Sequence, residues 1–181
     1  MARNIEIKAR IRSIADVITR VAAIATDGPT EIVQDDIFFD CDTGRLKLRI
    51  LSEERGELIY YRRADQQGPK ESFYLLSPTE SPYSLLEVLS LSNKQAGRVE
   101  KHRTLFLAGR TRIHLDCVKG LGDFLELEVV LDDGKSAETG IAEAHAMMEQ
   151  LGIDESQLVE GAYVDLLAQR PAPNVSAKQT C

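Results

Sequence analysis

The residues with most capacity for chemistry in this 181-residue chain come as alternating pairs. Glu126 and Glu128 flank Leu127, Lys47 and Arg49 flank Leu48, Lys101 and Arg103 flank His102, and Glu6 and Lys8 flank Ile7. A spacing of two puts both members of a pair on one face of a β-strand. Paired carboxylates offer the hard oxygen ligands that Mg²⁺ or Mn²⁺ takes, usually one or two of them beside substrate phosphates. Lysine and arginine offer donors to phosphate oxygens. A surface strand with its charges in water explains any single pair. The set argues for more, because the signs segregate: two pairs are purely basic and one is purely acidic.

The elements that must position these pairs can be read in order. Asn4–Arg12 alternates charged and apolar residues and predicts a first strand. Ser13 then caps a helix running to about Ala25. Further strands are expected over Thr30–Asp40, Arg45–Leu51, Glu57–Ala64, Ser72–Leu76, Val99–Leu107, Thr111–Val118 and Phe124–Leu131. Pro82 opens a helix of about three turns, and helices are expected over Ser136–Leu151 and Glu155–Ala168. The Pro-containing stretch RPAPNVSAKQTC carries no period, so residues 169–181 are expected to be a disordered tail behind one domain of residues 1–168.

Eight strands joined mainly as hairpins predict an α+β fold: an eight-stranded antiparallel β-barrel, or tunnel, with flanking helices. If the helices cover the apolar faces, the charged faces point inward. The expected inward cations are Lys8, Lys47, Arg49, Arg63, Lys101 and Arg103. Glu6, Asp116, Glu126 and Glu128 oppose them, which leaves an excess of about +2, costly to bury without a counter-ion. A triphosphate with one divalent metal would neutralise it.

Composition narrows the class. The net charge of −7 argues against a nucleic-acid binder. No apolar run reaches the length of a membrane span, and the charged N-terminus lacks the apolar stretch of a signal peptide. Cys41, Cys117 and Cys181 stand at unrelated spacings without a zinc or redox motif, so reduced thiols and a cytoplasmic location are expected.

These motifs resemble the CYTH superfamily, the triphosphate tunnel metalloenzymes, which includes class IV adenylyl cyclases, thiamine triphosphatases and inorganic triphosphatases. The family's opening Glu-x-Glu-x-Lys strand resembles Asn4-Ile5-Glu6-Ile7-Lys8. Its basic pairs resemble Lys47-Leu48-Arg49 and Lys101-His102-Arg103. Its Asp-bearing strand resembles Ile113-His114-Leu115-Asp116, and Gly122-Asp123-Phe124-Leu125-Glu126-Leu127-Glu128 is similar to the acidic signature. Tyr163–Leu167 resembles a family helix. The resemblance spans residues 3 to 167 and implies the eight-stranded tunnel.

The resemblance also implies roles. Glu6, Glu126 and Glu128 would hold Mg²⁺ or Mn²⁺. Lys8, Lys47, Arg49, Arg63, Lys101 and Arg103 would clamp the phosphates of tripolyphosphate, thiamine triphosphate or ATP. Lys8, Arg103 and Asp116 would act in catalysis, Asp116 as a ligand or a water-orienting group. Asn4 departs from the family's first Glu and puts a second metal ion in question. Three functions stay open: metal-dependent triphosphate hydrolysis, conversion of ATP to cyclic AMP and pyrophosphate, and non-catalytic polyphosphate or nucleotide binding. A homodimer is compatible with the fold.

Several residues lie beyond these motifs. His114 is expected to be structural before it is a proton carrier, and His102 and His145 are expected at the surface. Arg10, Arg12 and Arg112 are expected as solvated charges at the tunnel mouths. Gln34 and Asp36 share a face and either line the lumen or stabilise the fold. Tyr61 and Tyr74 either stack on a base or pack the rim. Asp165 is expected to pair with a base or to cap.

Overall fold

The computed structural model describes residues 2–132 and 136–170. The strands are β1 (Ala2–Arg10), β2 (Asp27–Phe39), β3 (Arg45–Ser52), β4 (Arg55–Arg63), β5 (Lys70–Thr79), β6 (Gln95–Ala108), β7 (Thr111–Val118) and β8 (Gly122–Leu131). The helices are α1 (Ile18–Ile24), α2 (Pro82–Ser92), α3 (Ala137–Leu151) and α4 (Tyr163–Ala168). The strands close into an antiparallel barrel in the order β1-β5-β4-β3-β2-β6-β7-β8, which leaves no unpaired edge. The expected eight-stranded barrel with flanking helices is the fold observed.

The apolar faces point outward, under the helices. Ile5, Ile7, Ile113, Leu115, Leu125 and Leu127 form one core with Val21 of α1 and Ala144, Met148 and Leu151 of α3. Gly140 lets α3 approach closely, because a Cβ there would stand 2.7 Å from Ile5 and from Leu131. Leu85, Leu86 and Leu89 of α2 cover Ile37, Phe39, Leu48 and Ile50 on the other side of the barrel. Period-two alternation then sends the residues between these positions inward.

The interior is not an open tunnel. At one end Phe38, Val99, Val118 and Phe124, all of inward parity, meet Ala162, Tyr163 and Val164 in a separate apolar cluster. The rings of Phe124 and Tyr163 pack edge to face at 4.9 Å. The barrel is therefore a cup with an apolar floor and a charged middle.

The segment that makes this floor departs from expectation. The helix predicted over 155–168 is broken into a 3-10 turn, Glu155–Gln157, capped by Asp154, then an extended stretch, then α4. The extended stretch adds to β1, with Val159 N donating to Lys8 O at 2.9 Å. Gly161 turns the chain at φ +75°, in the left-handed region that glycine tolerates best. The helix predicted from Ser13 likewise begins as a 3-10 turn, Ile14–Asp16, with Ser13 Oγ accepting from Ala15 N at 3.1 Å, before α1 starts.

Among the described residues Cys41 is a free thiol. Residues 171–181 of the expected tail lie outside the described residues. No described helix is long and apolar enough to cross a membrane.

Candidate functional site

A cavity of about 630 Å³ occupies the cup. Every strand contributes to its wall, and each expected phosphate-binding cation borders it: Lys8, Lys47, Arg49, Arg63, Lys101 and Arg103. The expected metal residues Glu6, Glu126 and Glu128 border it too.

Cross-strand register decides how these charges meet. Asp36 of β2 lies opposite Arg49 of β3. Its carboxylate accepts from Lys47 Nζ at 2.6 Å and from Arg49 at 2.8 and 3.1 Å. Burial would raise the Asp36 carboxyl, but Arg49 and Lys47 outweigh it and hold it well below the usual range. Burial pulls Lys47 down to about 8 despite Asp36. Asp36 thus both lines the lumen and anchors two cations.

Asp116 plays the corresponding part on β7, one strand beyond β6 from Asp36. It is fully buried and accepts from Arg103 and from Lys101, with Tyr163 Oη donating at 3.2 Å. The carboxylate does not border the cavity, and its oxygens are already taken by these donors. In that geometry Asp116 holds the side chains of Lys101 and Arg103 in place.

The third charge group spans β1, β4 and β8. Arg63 is paired with Glu6, and its other terminal nitrogen donates to Gly161 O at 2.9 Å. Lys8 donates to the same carbonyl at 3.0 Å and stands 3.4 Å from Glu126. Its ammonium lies 4.0 Å over the Tyr163 ring. Burial pulls Lys8 down to about 8, against the attraction of Glu126. A small void of about 10 Å³, near the size that admits one water, lies among Glu6, Arg63, Glu126 and Glu128.

His114 and Arg112, expected as a structural residue and a mouth charge, also border the cavity. Both share the parity of Asp116, which was the available signal. Arg112 pairs with Glu128 at 2.9 Å and with Tyr74 Oη at 3.2 Å, so it lines the wall and is not a solvated mouth charge. His114 lies opposite Glu126, with Nδ1 at 3.8 Å from Glu126 and 3.7 Å from Glu128. Ligand atoms of His114, Glu126 and Glu128 lie within 4.8 Å of one another, a grouping able to hold a metal ion. Burial would raise both carboxyls, yet Lys8 and Lys101 around Glu126, and His114 and Arg112 around Glu128, keep both below the usual range.

The remaining expectations sort plainly. Gln34, Tyr61 and Tyr74 line the cavity. His102 and His145 are exposed, and Arg12 is exposed beside Asp16. Arg10 is tied to Leu121 O at 2.8 Å and lies over the Phe124 ring. Asp165 accepts from Arg45 at 2.8 Å and from Ala162 N at 2.7 Å, both pairing and capping as expected.

The CYTH domain profile matches residues 2–163. The chain belongs to the CYTH family. Solved CYTH-like barrels agree with it in fold. The PH1012 protein of Pyrococcus horikoshii OT3 is 22% identical with a TM-score of 0.80, over 90% of this chain and 98% of that one. A conserved hypothetical protein of Pyrococcus furiosus is 21% identical with a TM-score of 0.77, over 90% and 99%. HpAC1 of Hippeastrum, described as having a dominant triphosphatase activity, is 15% identical with a TM-score of 0.66, over 94% and 98%. Among curated proteins none matches this sequence at the same standard.

Proposed function

We propose that this CYTH protein hydrolyses a triphosphate with the help of a divalent metal. The observation that carries the reading is the convergence of six cations from four strands on one cup that also holds His114, Glu126 and Glu128. The residues fit a metal: two ionised carboxylates and a buried imidazole face one another, and Glu6 stands at the adjoining void. Glu126 and Glu128, with Glu6, would hold Mg²⁺ or Mn²⁺. When bound, the ion supplies Lewis-acid polarisation of phosphate oxygens.

The chain's own cations do the rest. Lys47, Arg49, Lys101 and Arg103 present donors to the polyanion while Asp36 and Asp116 fix their directions. Arg63 and Lys8 are steered from the closed end by Gly161 O. Arg103, which reaches Glu126 at 2.7 Å, is placed to offset charge on the phosphoryl group as it passes to water. Such donors, already oriented inside a water-poor wall, need little rearrangement in the transition state.

The volume of the cup favours one second reading. About 630 Å³ falls within the roughly 300–1,000 Å³ of small-molecule sites, and Ile32, Leu76 and Leu105 add an apolar part to the wall. An organic group could sit there, as ATP would for cyclase chemistry.

Incubation with tripolyphosphate, thiamine triphosphate or ATP, with Mg²⁺ or Mn²⁺, separates the readings by product. Orthophosphate is expected. Cyclic AMP with pyrophosphate would move the assignment to a cyclase, and tight binding without turnover to a binding module. Glu126→Gln and Glu128→Gln should each abolish turnover with an unchanged circular dichroism spectrum; full activity in both would remove the metal assignment.

A further inference from the structure

His114 is a buried side chain without an assignment. It is 4% exposed, and Nδ1 is buried with no hydrogen-bond partner. A nitrogen in that state costs folding free energy unless a further group completes it. Its nearest acceptors, Glu126 at 3.8 Å and Glu128 at 3.7 Å, are too far for a hydrogen bond and nearly equidistant. Donors that share one ion at about 2.1 Å stand roughly 3 to 4 Å apart. The separations of His114 from both carboxylates fall in that range.

The strands hold this arrangement firmly. His114 is the cross-strand neighbour of Glu126, and Arg112 that of Glu128, so one register places the imidazole between the two carboxylates. Leu115, Leu125 and Leu127 pack the other face of the same two strands and fix that register.

We propose that His114 Nδ1 is a nitrogen ligand of the divalent ion held by Glu126 and Glu128, and that it tilts the site toward Mn²⁺ over Mg²⁺. The inference rests on the metal reading above. Imidazole adds affinity for first-row transition ions, whereas Mg²⁺ gains little over an all-oxygen site.

The test uses the full chain loaded with Mn²⁺ and pulsed electron paramagnetic resonance, with and without ¹⁵N-histidine labelling. A histidine nitrogen coupling that changes on labelling is expected in the native protein, which needs no variant to fold. His114→Gln should lose the coupling and bind Mn²⁺ about 10-fold more weakly or worse, with a much smaller change for Mg²⁺ by calorimetry. Mn²⁺ bound without a histidine coupling would overturn the role of His114 and leave the carboxylate site standing. Failure of the native protein to bind either Mn²⁺ or Mg²⁺ would remove both this inference and the metal-dependent function.

Discussion

Arg103 donates two hydrogen bonds of 2.6 Å to Asp116, one to each carboxylate oxygen, beside Tyr163 of the floor. A third donor of Arg103 geometry, from the same terminal nitrogen, reaches Glu126 at 2.7 Å. The guanidinium thus links a structural carboxylate to one that faces the cavity. Removing one partner of a buried ion group leaves the others uncompensated, at a cost of about 3–5 kcal/mol. Asp116→Asn should lose stability on that scale in urea denaturation, and the surviving protein should show a raised KM as Lys101 and Arg103 lose their anchor. A loss below about 1 kcal/mol would mean that Asp116 does not organise the pair.

Two lysines in the cup predict opposite pH trends for stability and binding. Burial brings Lys8 to about 8 from 10.5, with Glu126 opposing and Arg63 and Lys101 assisting. Lys47 reaches about 8 in the same way, with Asp36 opposing and Arg49 and Lys101 assisting. Between about pH 8 and 10.5 the unfolded chain binds more protons, so these groups make the unliganded protein more stable as pH rises. Anion binding should weaken over the same range, because both ammonium groups lose their charge. Thermal melts and KM from pH 7 to 10 would show the divergence. Lys47→Arg should make the KM limb shallower, since arginine stays charged; an unaltered limb would exclude Lys47 from substrate binding.

How much of this was legible in the sequence depends on the range of the interaction. Alternation within a strand fixed the inward parity of Lys47, Arg49, Arg63, Lys101, Arg103, Glu126 and Glu128, because side-chain direction is a local property. The same parity marks Phe38, Val99 and Phe124 as inward, but nothing local says that they form a floor. That needs the chain to return as Ala162 and Tyr163, after a break at Gly161 that a helical apolar pattern conceals. The pairing of Asp36 with Arg49 and of His114 with Glu126 comes from register between strands, which one sequence does not display. Arg112 was read as a mouth charge for the same reason: its partners Glu128 and Tyr74 stand on other strands.

The floor of the cup can be tested from β6. A Cβ on Gly97 would stand 2.5 Å from Val164 Cγ2, inside van der Waals contact. Valine is stiff at χ1 and cannot swing aside cheaply, so Gly97→Ala should push α4 outward. A loss of about 1–3 kcal/mol is expected by overpacking, with faster amide exchange in Tyr163–Ala168. Adding Val164→Ala should restore most of the stability. If the double variant is no better than the single one, the contact with α4 is not the source of the loss.

Asn4 offers the sharpest test of where an ion can sit. Its side chain is 2% exposed, borders the cavity, and carries a buried Oδ1 without a hydrogen-bond partner. It lies opposite Ser72 of β5, whose Oγ is likewise unpartnered, and two residues before Glu6 on the same face of β1. Asn4→Glu would place a carboxylate there with no hydrogen-bond donor already directed at the position, and an uncompensated buried charge is costly. The variant should therefore melt at a lower temperature than the native protein without metal. If an ion reaches this end of the site, Mn²⁺ should restore the lost stability, since a ligand bound only by the folded state stabilises it, and turnover should show a steeper dependence on metal concentration. A lowered melting temperature that Mn²⁺ leaves unchanged would place Asn4 beyond the reach of the ion and confine metal binding to the group around Glu126 and Glu128.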